Sequence, residues 1–243
     1  MRGSLLPGSR TDRMVSGSEA HDHGDHWVID TPSCRLSSWG HRLVLDGPPV
    51  ELAPWWARWT EVHGGKGVAR AYLAWEGVEG WPEPVEGEER FVVRRLPRVE
   101  ASMAGLRRLS PDDGEAVVAL MNAGTDEGTD AGAMAYARWA WSERAGVLAA
   151  GRGVQLGVWV GEELVGTAAL LWDEHDARYQ DVVVHPGHRR QGLATRLVDA
   201  LRGLSPHAPL INAVEGGQAD RIYERLGGEV VSVAAAVAQA RPA

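Results

Sequence analysis

Val182-Val183-Val184-His185-Pro186-Gly187-His188-Arg189-Arg190-Gln191-Gly192-Leu193-Ala194-Thr195-Arg196 reads as a strand, a short turn and the start of a helix. The valines are β-branched and apolar, and Pro186 stops the run. From Gly192 the period changes: Leu193, Leu197 and Leu201 recur at i, i+4 and i+8, one stripe of a helix ending near Arg202. The N–H groups of a first helical turn have no partners inside the helix and point outward together. With the helix dipole they form an anion site. Gly192 lets the backbone approach a phosphate closely, Ala194 keeps the next position small, and Arg189 and Arg190 add positive charge. A hydrogen bond to a charged group contributes about 1.5–3 kcal/mol and the dipole about 0.3–1, so converging amides dominate. The ligand this chemistry suits is a pyrophosphate. The stretch is not a Walker A loop, because the Gly-Lys-Ser/Thr ending is absent, and no G-x-G-x-x-G of a dinucleotide fold is present.

Around this stretch the pattern of residues 101–243 predicts alternating strands and helices. Gly105 to Leu109 fits a strand. Ser110-Pro111-Asp112-Asp113 then opens a helix, with Ser at the N-cap, Pro at the first helical position and an acid at the third. A loop from Gly124 to Asp130 precedes a second helix from about Ala133 to Ala149. Residues 154–160 and 164–172, joined by Gly161-Glu162-Glu163, form a β-hairpin pattern. The strand at Asp181 to Val184 follows. Leu210 to Val214 reads as a strand, Gln218 to Leu226 as a helix stopped by Gly227-Gly228, and Val230 to Val237 as a last strand. The expected class is an α/β fold, a mixed α+β sheet with helices on both faces.

V-x-V-x-P-x-x-R-R-x-G-x-A, after a hairpin and before an amphipathic helix, resembles the acetyl-CoA signature of the GCN5-related N-acetyltransferases, the GNAT family. About 30 residues on, Ala219-Asp220-Arg221-Ile222-Tyr223-Glu224-Arg225-Leu226-Gly227 resembles that family's second signature, A-x-x-x-Y-E-x-L-G. The resemblance covers residues 105–235 and implies a GNAT acyl-CoA N-acyltransferase fold. It implies that Arg190, Gln191, Gly192, Leu193, Ala194 and Thr195, with Arg189 beside them, cradle the pyrophosphate. Val182, Val183 and Val184 would pair their backbone with the pantetheine arm as with an added strand. Tyr223 would lie near the thioester sulfur and donate a proton to the leaving thiolate, since a phenol with a pKa of about 10 is protonated at neutral pH. The implied reaction is direct attack of a primary amine, of a small molecule or a peptide N-terminus, on acetyl-CoA in a ternary complex. A strand amide would hold the oxyanion. Candidates for the general base are Glu174, His175, Asp181 and Glu215, with Asp181 preferred for its place on the central strand. Two positions depart from the family: Gly216 stands where Asn is frequent, and Gly228 where Phe is frequent.

The rest of the chain divides into a tail, residues 1–26, and a tryptophan-rich lobe, residues 27–100. The tail closes on His21-Asp22-His23-Gly24-Asp25-His26, whose imidazoles and carboxylates are metal-ligand chemistry. As part of a flexible tail they would bind metal only adventitiously, and no metal site is assigned. The lobe holds Trp27, Trp39, Trp55, Trp56, Trp59, Trp75 and Trp81, expected mainly in its core because each buries a large area. Strands are expected at His41 to Leu45, Ala69 to Trp75 and Arg90 to Leu96, with a short helix from Trp55 to Val62. Trp39-Gly40 and Leu43-Val44-Leu45-Asp46-Gly47-Pro48-Pro49 resemble the N-terminal halves of some two-lobed bacterial acetyltransferases, which are degenerate copies of the catalytic half.

Composition sets outer bounds. The 243 residues carry 25 basic and 33 acidic side chains, a net charge of −8, which argues against a nucleic-acid binder. Cys34 is the only cysteine, so no intrachain disulfide and no cysteine metal site form. No apolar run is long enough to span a bilayer and the first residues lack a secretory pattern, so a cytoplasmic protein without membrane partners is expected. The runner-up function is a non-catalytic acyl-CoA-binding or sensory protein. A third reading makes the tryptophan-rich lobe a protein-interaction module.

Overall fold

The computed structural model describes residues 5–77, 86–124 and 131–240. The chain falls into two compact units. The first comprises Met1–Arg94, Asn212–Arg221 and Glu229–Ala243; the second comprises Arg95–Ile211 and Ile222–Gly228. The boundary at Arg95 lies six residues before the expected one. The last segment, expected with the acetyltransferase-like half, groups with the first unit instead. Trp81 and residues 125–130 of the Gly124 to Asp130 loop lie outside the described residues.

In chain order the first unit contains α1 (Pro7–Ser16), β1 (Glu19–Asp22), β2 (His26–Asp30), β3 (Arg42–Leu45), α2 (Ala53–His63), β4 (Arg70–Gly77) and β5 (Glu88–Arg95, to Arg94). The second contains β6 (Arg107–Arg108), α3 (Gly114–Gly124), α4 (Ala131–Ala149), β7 (Gly153–Val160), β8 (Glu163–Trp172), β9 (Ala177–Val184) and α5 (Leu193–Leu201). The division passes through β10 (Leu210–Val214) and α6 (Gln218–Arg225), and β11 (Glu229–Ala240) belongs to the first unit.

Strand alternation builds two cores in the first unit. β2 pairs antiparallel with β3, β3 parallel with β4, and β4 antiparallel with β11. Successive residues of a strand face opposite sides. Val28, Leu43, Leu45, Leu73, Trp75, Ala235 and Val237 therefore pack on one face, where Trp59 of α2 seals them. Ile29, Val44, Ala74 and Ala236 pack on the other, with Leu5, Trp27 and Trp39 against them. Trp59 and Trp75 are fully buried, and Trp27, Trp39, Trp55 and Trp56 are packed at the rims, so the described tryptophans are core as expected.

The expected tail is a correction. Residues 7–16 form α1, and residues 19–22 form β1, which pairs antiparallel with β2. α1 has no apolar stripe to announce it. Its first-turn amides are satisfied from far away: Gly8 N and Ser9 N donate to the buried Glu76 carboxylate of β4 at 2.9 and 2.8 Å. Asp12 forms an ion pair at 2.8 Å with the buried Arg42 of β3. The histidine-rich stretch is the turn of the β1–β2 hairpin, with His26 buried and stacked on His23 at 5.1 Å. Among the described residues no group of three or more His, Cys, Asp or Glu side chains is placed to hold a metal ion. No helix among them is long and apolar enough to cross a membrane.

In the second unit β6, β7, β8 and β9 form an antiparallel run, and β10 adds a parallel neighbour to β9 through Leu210 opposite Arg178. The expected strand at Gly105 to Leu109 is cut to two residues. The Ser110 signal starts a helix as expected: the Asp113 carboxylate accepts from Ser110 N at 2.7 Å and from Ser110 Oγ at 3.1 Å. Val117 and Leu120 of α3 pack against Leu164, while Leu197 of α5 lies over Gly166. An extra residue between the two strand positions, Val165, puts these contacts on opposite faces of β8. The fold is mixed α/β with a mixed sheet, as expected.

Candidate active site

The strand-to-helix stretch holds its expected geometry. β9 ends at Val184, Pro186–His188 makes one 3-10 turn, and α5 begins after Gly192. Arg190 has φ 63° and Gly192 φ 76°, both left-handed. Glycine takes that conformation without cost, whereas Arg190 does not. The two turns roll the backbone so that the N–H groups of residues 191–195 meet no acceptor among the described residues; the first amide inward, Arg196 N, bonds to Gly192 O at 3.0 Å. A Cβ on Gly192 would meet no atom within 4 Å, so the space beside that backbone is open. The open space at Gly192, the unpaired donors and the exposed Arg190 guanidinium, which makes no hydrogen bond or ion pair among the described residues, fit a pyrophosphate.

Arg189 is used differently from Arg190. Its Nη2 donates to Gly124 O at the end of α3 at 3.0 Å and its Nε to Val184 O at 3.3 Å. It ties the turn to the end of the strand and to the end of α3. His185 Nδ1 accepts from Gly187 N at 3.2 Å, which tightens the turn.

Val182, Val183 and Val184 lie on the last part of β9, half-buried. Their partners on the β8 side begin with Thr167 opposite Val183 and Gly166 opposite Val184. On the other side, the register with β10 is the single pair Leu210–Arg178 among the described residues. Within this unit no described strand residue pairs with β9 on that side beyond Arg178.

β9 carries a bulge. Ala169 pairs with Gln180 and Thr167 with Val183, so Asp181 and Val182 together face Ala168. Asp181 has φ 48°, the left-handed region. The extra residue reverses the alternation: Tyr179 bonds to α5 through its hydroxyl and Val198 O at 2.7 Å, yet Val183, four residues on, packs on the α3 side. Asp181 itself turns to α4. One of its carboxylate oxygens is ion-paired with the buried Arg144, and the other accepts from Gln180 Nε2 at 3.0 Å. Arg144 also donates to Gln155 Oε1 at 3.3 Å, and Gln155 donates to Thr167 Oγ1 at 2.9 Å. Nothing in the sequence pattern marked Arg144; it reads as one polar position in a helix.

Tyr223, on α6, is 5 % exposed. Burial pushes its phenol up to about 12, and its hydroxyl makes no hydrogen bond among the described residues. It is near enough to Tyr179 to contribute to the raised value of that phenol, for which burial is the main cause and against which Arg202 acts. A proton donor with no protein acceptor is free for a ligand.

The base candidates separate. Glu174 and His175 are exposed in the turn before β9, at the end of that strand opposite to the cradle, about 25 Å away along an extended chain. Asp181 is on the right strand, but both its oxygens are already hydrogen-bond acceptors, which removes the ground for preferring it as base. A cavity of about 480 Å³ lined by Gly105, Arg107, Gly157, Trp159 and Glu162 lies on the β6–β7 side, with β8 between it and β9. It is not the cradle.

The family model described as an acetyltransferase (GNAT) domain matches residues 154–227. No curated protein matches the chain in sequence. Among solved structures, a conserved protein of unknown function from Staphylococcus epidermidis is similar at 10 % identity, with 93 % of this chain and 95 % of that chain covered and a TM-score of 0.71. A GCN5-related N-acetyltransferase from Kribbella flavida is similar at 17 % identity, with 97 % and 94 % covered and a TM-score of 0.57. Another from Sphaerobacter thermophilus is similar at 13 % identity, with 97 % and 86 % covered and a TM-score of 0.56. At these identities the likeness is one of fold. GNAT enzymes in general use acetyl-CoA and amine acceptors. Residues 154–227 are thus a GNAT acetyltransferase domain, the domain of an acyltransferase.

Proposed function

We propose that the chain transfers an acetyl group from acetyl-CoA to a primary amine, of a small molecule or a peptide N-terminus, by direct attack in a ternary complex. The observation that carries this reading is the set of unpaired amides at residues 191–195 around left-handed Gly192, next to a β9 edge with no strand partner in its unit. The amides, Gly192 and Arg190 would hold the pyrophosphate, with Arg189 adding charge from the side. Val182, Val183 and Val184 would align the pantetheine arm along β9. Acetyl-CoA supplies the acyl group activated as a thioester. Tyr223, kept protonated by burial, would give its proton to the departing thiolate. A β9 amide would donate to the developing oxyanion. The amine's proton would leave through water, since Asp181 is engaged. The net charge of −8 supports a cationic amine over a nucleic acid as acceptor. The same reading has the chain work in the cytoplasm, where a CoA thioester is at hand.

Calorimetric titration of acetyl-CoA into the protein and into Gly192→Glu tests this. Micromolar binding, about −8 kcal/mol, is expected for the wild type. The variant puts a carboxylate into the open space of the cradle and should bind at least a hundredfold more weakly. No binding by the wild type would overturn the reading.

The engagement of Asp181 favours one second reading, a non-catalytic acyl-CoA-binding protein that keeps the cradle without a side-chain base. It predicts the same titration and no thiol release in the presence of any amine.

A further inference from the structure

We propose that Arg144 is a positioning residue for acyl transfer: by holding the Asp181 carboxylate it fixes the β9 bulge that aims the strand's amides at the acyl carbonyl. The inference rests on the acetyl-CoA reading above and extends it to a residue on α4.

Three observations support it. First, Asp181 is a non-glycine residue at φ 48° inside a strand. Such a conformation is strained and persists only when its surroundings enforce it. Second, a buried ion pair supplies the enforcing contact. Arg144 is 2 % exposed and its Nη2 is ion-paired with Asp181, while its Nη1 is held by Gln155, itself held by Thr167. Thr167 Oγ1 donates to Leu156 O at 2.9 Å, so the chain of contacts is anchored in the β7–β8 ladder. Removing one partner of a buried pair strands the other, which makes this arrangement hard to relax. Third, the bulge sits where direction matters. It lies between Tyr179, which faces α5, and Val183, which faces α3, and it begins the valine edge proposed to take the pantetheine arm. Without the bulge, every residue from Asp181 to Val184 would swap faces and its amides would turn with it.

This gives Asp181 a task other than that of a base. Its carboxylate is the handle by which a helix holds a strand, and it never needs to take a proton. The two roles part in a double substitution. Glycine adopts φ 48° freely, so Asp181→Gly keeps the bulge without the handle.

The experiment uses acetyl-CoA labelled with ¹³C at the thioester carbonyl, bound to the full chain and observed by difference infrared spectroscopy, with affinity measured by calorimetry. The wild type should shift the bound carbonyl stretch to lower frequency than in water, the mark of a hydrogen bond from a fixed donor. Arg144→Met, observed at saturating acetyl-CoA, should lose that shift, and its Kd should rise as well because the amides of Val182 to Val184 turn with the bulge. Arg144→Met with Asp181→Gly should regain the shift, and Arg144→Lys should keep part of it. Should Arg144→Met fail to fold, the double variant, which buries no lone charge, and Arg144→Lys carry the comparison. A shift unchanged in Arg144→Met, or lost in the double variant as well, would overturn the inference while leaving the donor reading intact. A wild type that binds no acetyl-CoA would overturn both, and calorimetry tells the two failures apart.

Discussion

The guanidinium of Arg94 donates to the carboxylate of Asp220 at 2.6 Å, and both side chains are buried. Asp220 also accepts from Gly216 N at 3.1 Å, so it closes the turn that leads into α6. Gly216, at φ 67°, is the position where a frequent Asn is missing. Burial pushes the Asp220 carboxyl up. The Arg94 hydrogen bond, the Gly216 amide and the nearby arginine charges outweigh this and hold it below the usual carboxylate range. Asp220→Ala leaves a buried guanidinium without its carboxylate and should cost about 3 kcal/mol. The urea midpoint should fall with its slope unchanged. The sign with pH follows from linkage: the stabilisation is complete above the ordinary carboxylate value and disappears as pH falls through the lower folded value. Wild type and variant should therefore converge in strong acid.

A second pH effect has a different window. His63 is fully buried between Trp59 and His41, with ring centroids 5.4 and 5.6 Å away. Burial, then the charges of Lys66 and His41, lower its value to about 4, against pulls from Asp30 and the Arg42 backbone. In the unfolded chain it titrates near 6.5. The unfolded state therefore binds the extra proton first. Stability should be full above pH 6.5 and fall by roughly 3 kcal/mol by pH 4, at about 1.4 kcal/mol per pH unit. Urea titrations at half-unit intervals measure the slope, and His63→Leu should flatten it.

Tyr223→Phe tests the proposed proton donor. The hydroxyl has no protein partner to lose, so stability should change by less than about 0.5 kcal/mol. Affinity for acetyl-CoA should stay within twofold. Turnover should drop by about 10²–10⁴ if the phenol protonates the leaving thiolate. Because the phenol ionises only near pH 12, it should impose no alkaline limb on the rate at ordinary pH. Equal turnover in wild type and variant would remove Tyr223 from the chemistry.

Glu76→Ala should release α1. The carboxylate accepts from Gly8 N, Ser9 N and Ser232 Oγ, the last at 2.5 Å. Hydrogen bonds to a charged group contribute about 1.5–3 kcal/mol each, and they share this one acceptor, so a loss of roughly 3 kcal/mol is expected. Amide exchange at residues 7–16 should speed up before that of the central strands. Gly8→Ala should act in the same direction, because its Cβ would come 2.9 Å from Val93 Cγ2.

What the sequence showed, and what it hid, divides by the range of the interaction. The strand, turn and helix of residues 182–201 were legible because their causes are local: β-branched residues, a proline, a glycine and a leucine stripe within twenty positions. Tyr223 was singled out by a short motif. α1 was not, since its amides are satisfied by Glu76, 68 residues away. The Asp181 bulge was hidden for a similar reason. A run of valines reads as a regular strand, and the residue that distorts it is held by Arg144, 37 positions earlier. The grouping of β11 with the first unit rests on pairing with β4, which no local pattern encodes.

That pairing has a consequence for how the chain is made. β4 is synthesised early, and its partner β11, matched from Val233 opposite Gly77 to Ala240 opposite Arg70, emerges only after the whole second unit. Until then one edge of β4 lacks its neighbour, and Leu73 and Trp75 lack the Val237 and Ala235 that complete their face of the sheet. An unpaired apolar edge is the kind of surface that captures other chains. The first unit, though it comes first in the sequence, is therefore the last to be completed, and chaperone demand during translation should centre on it.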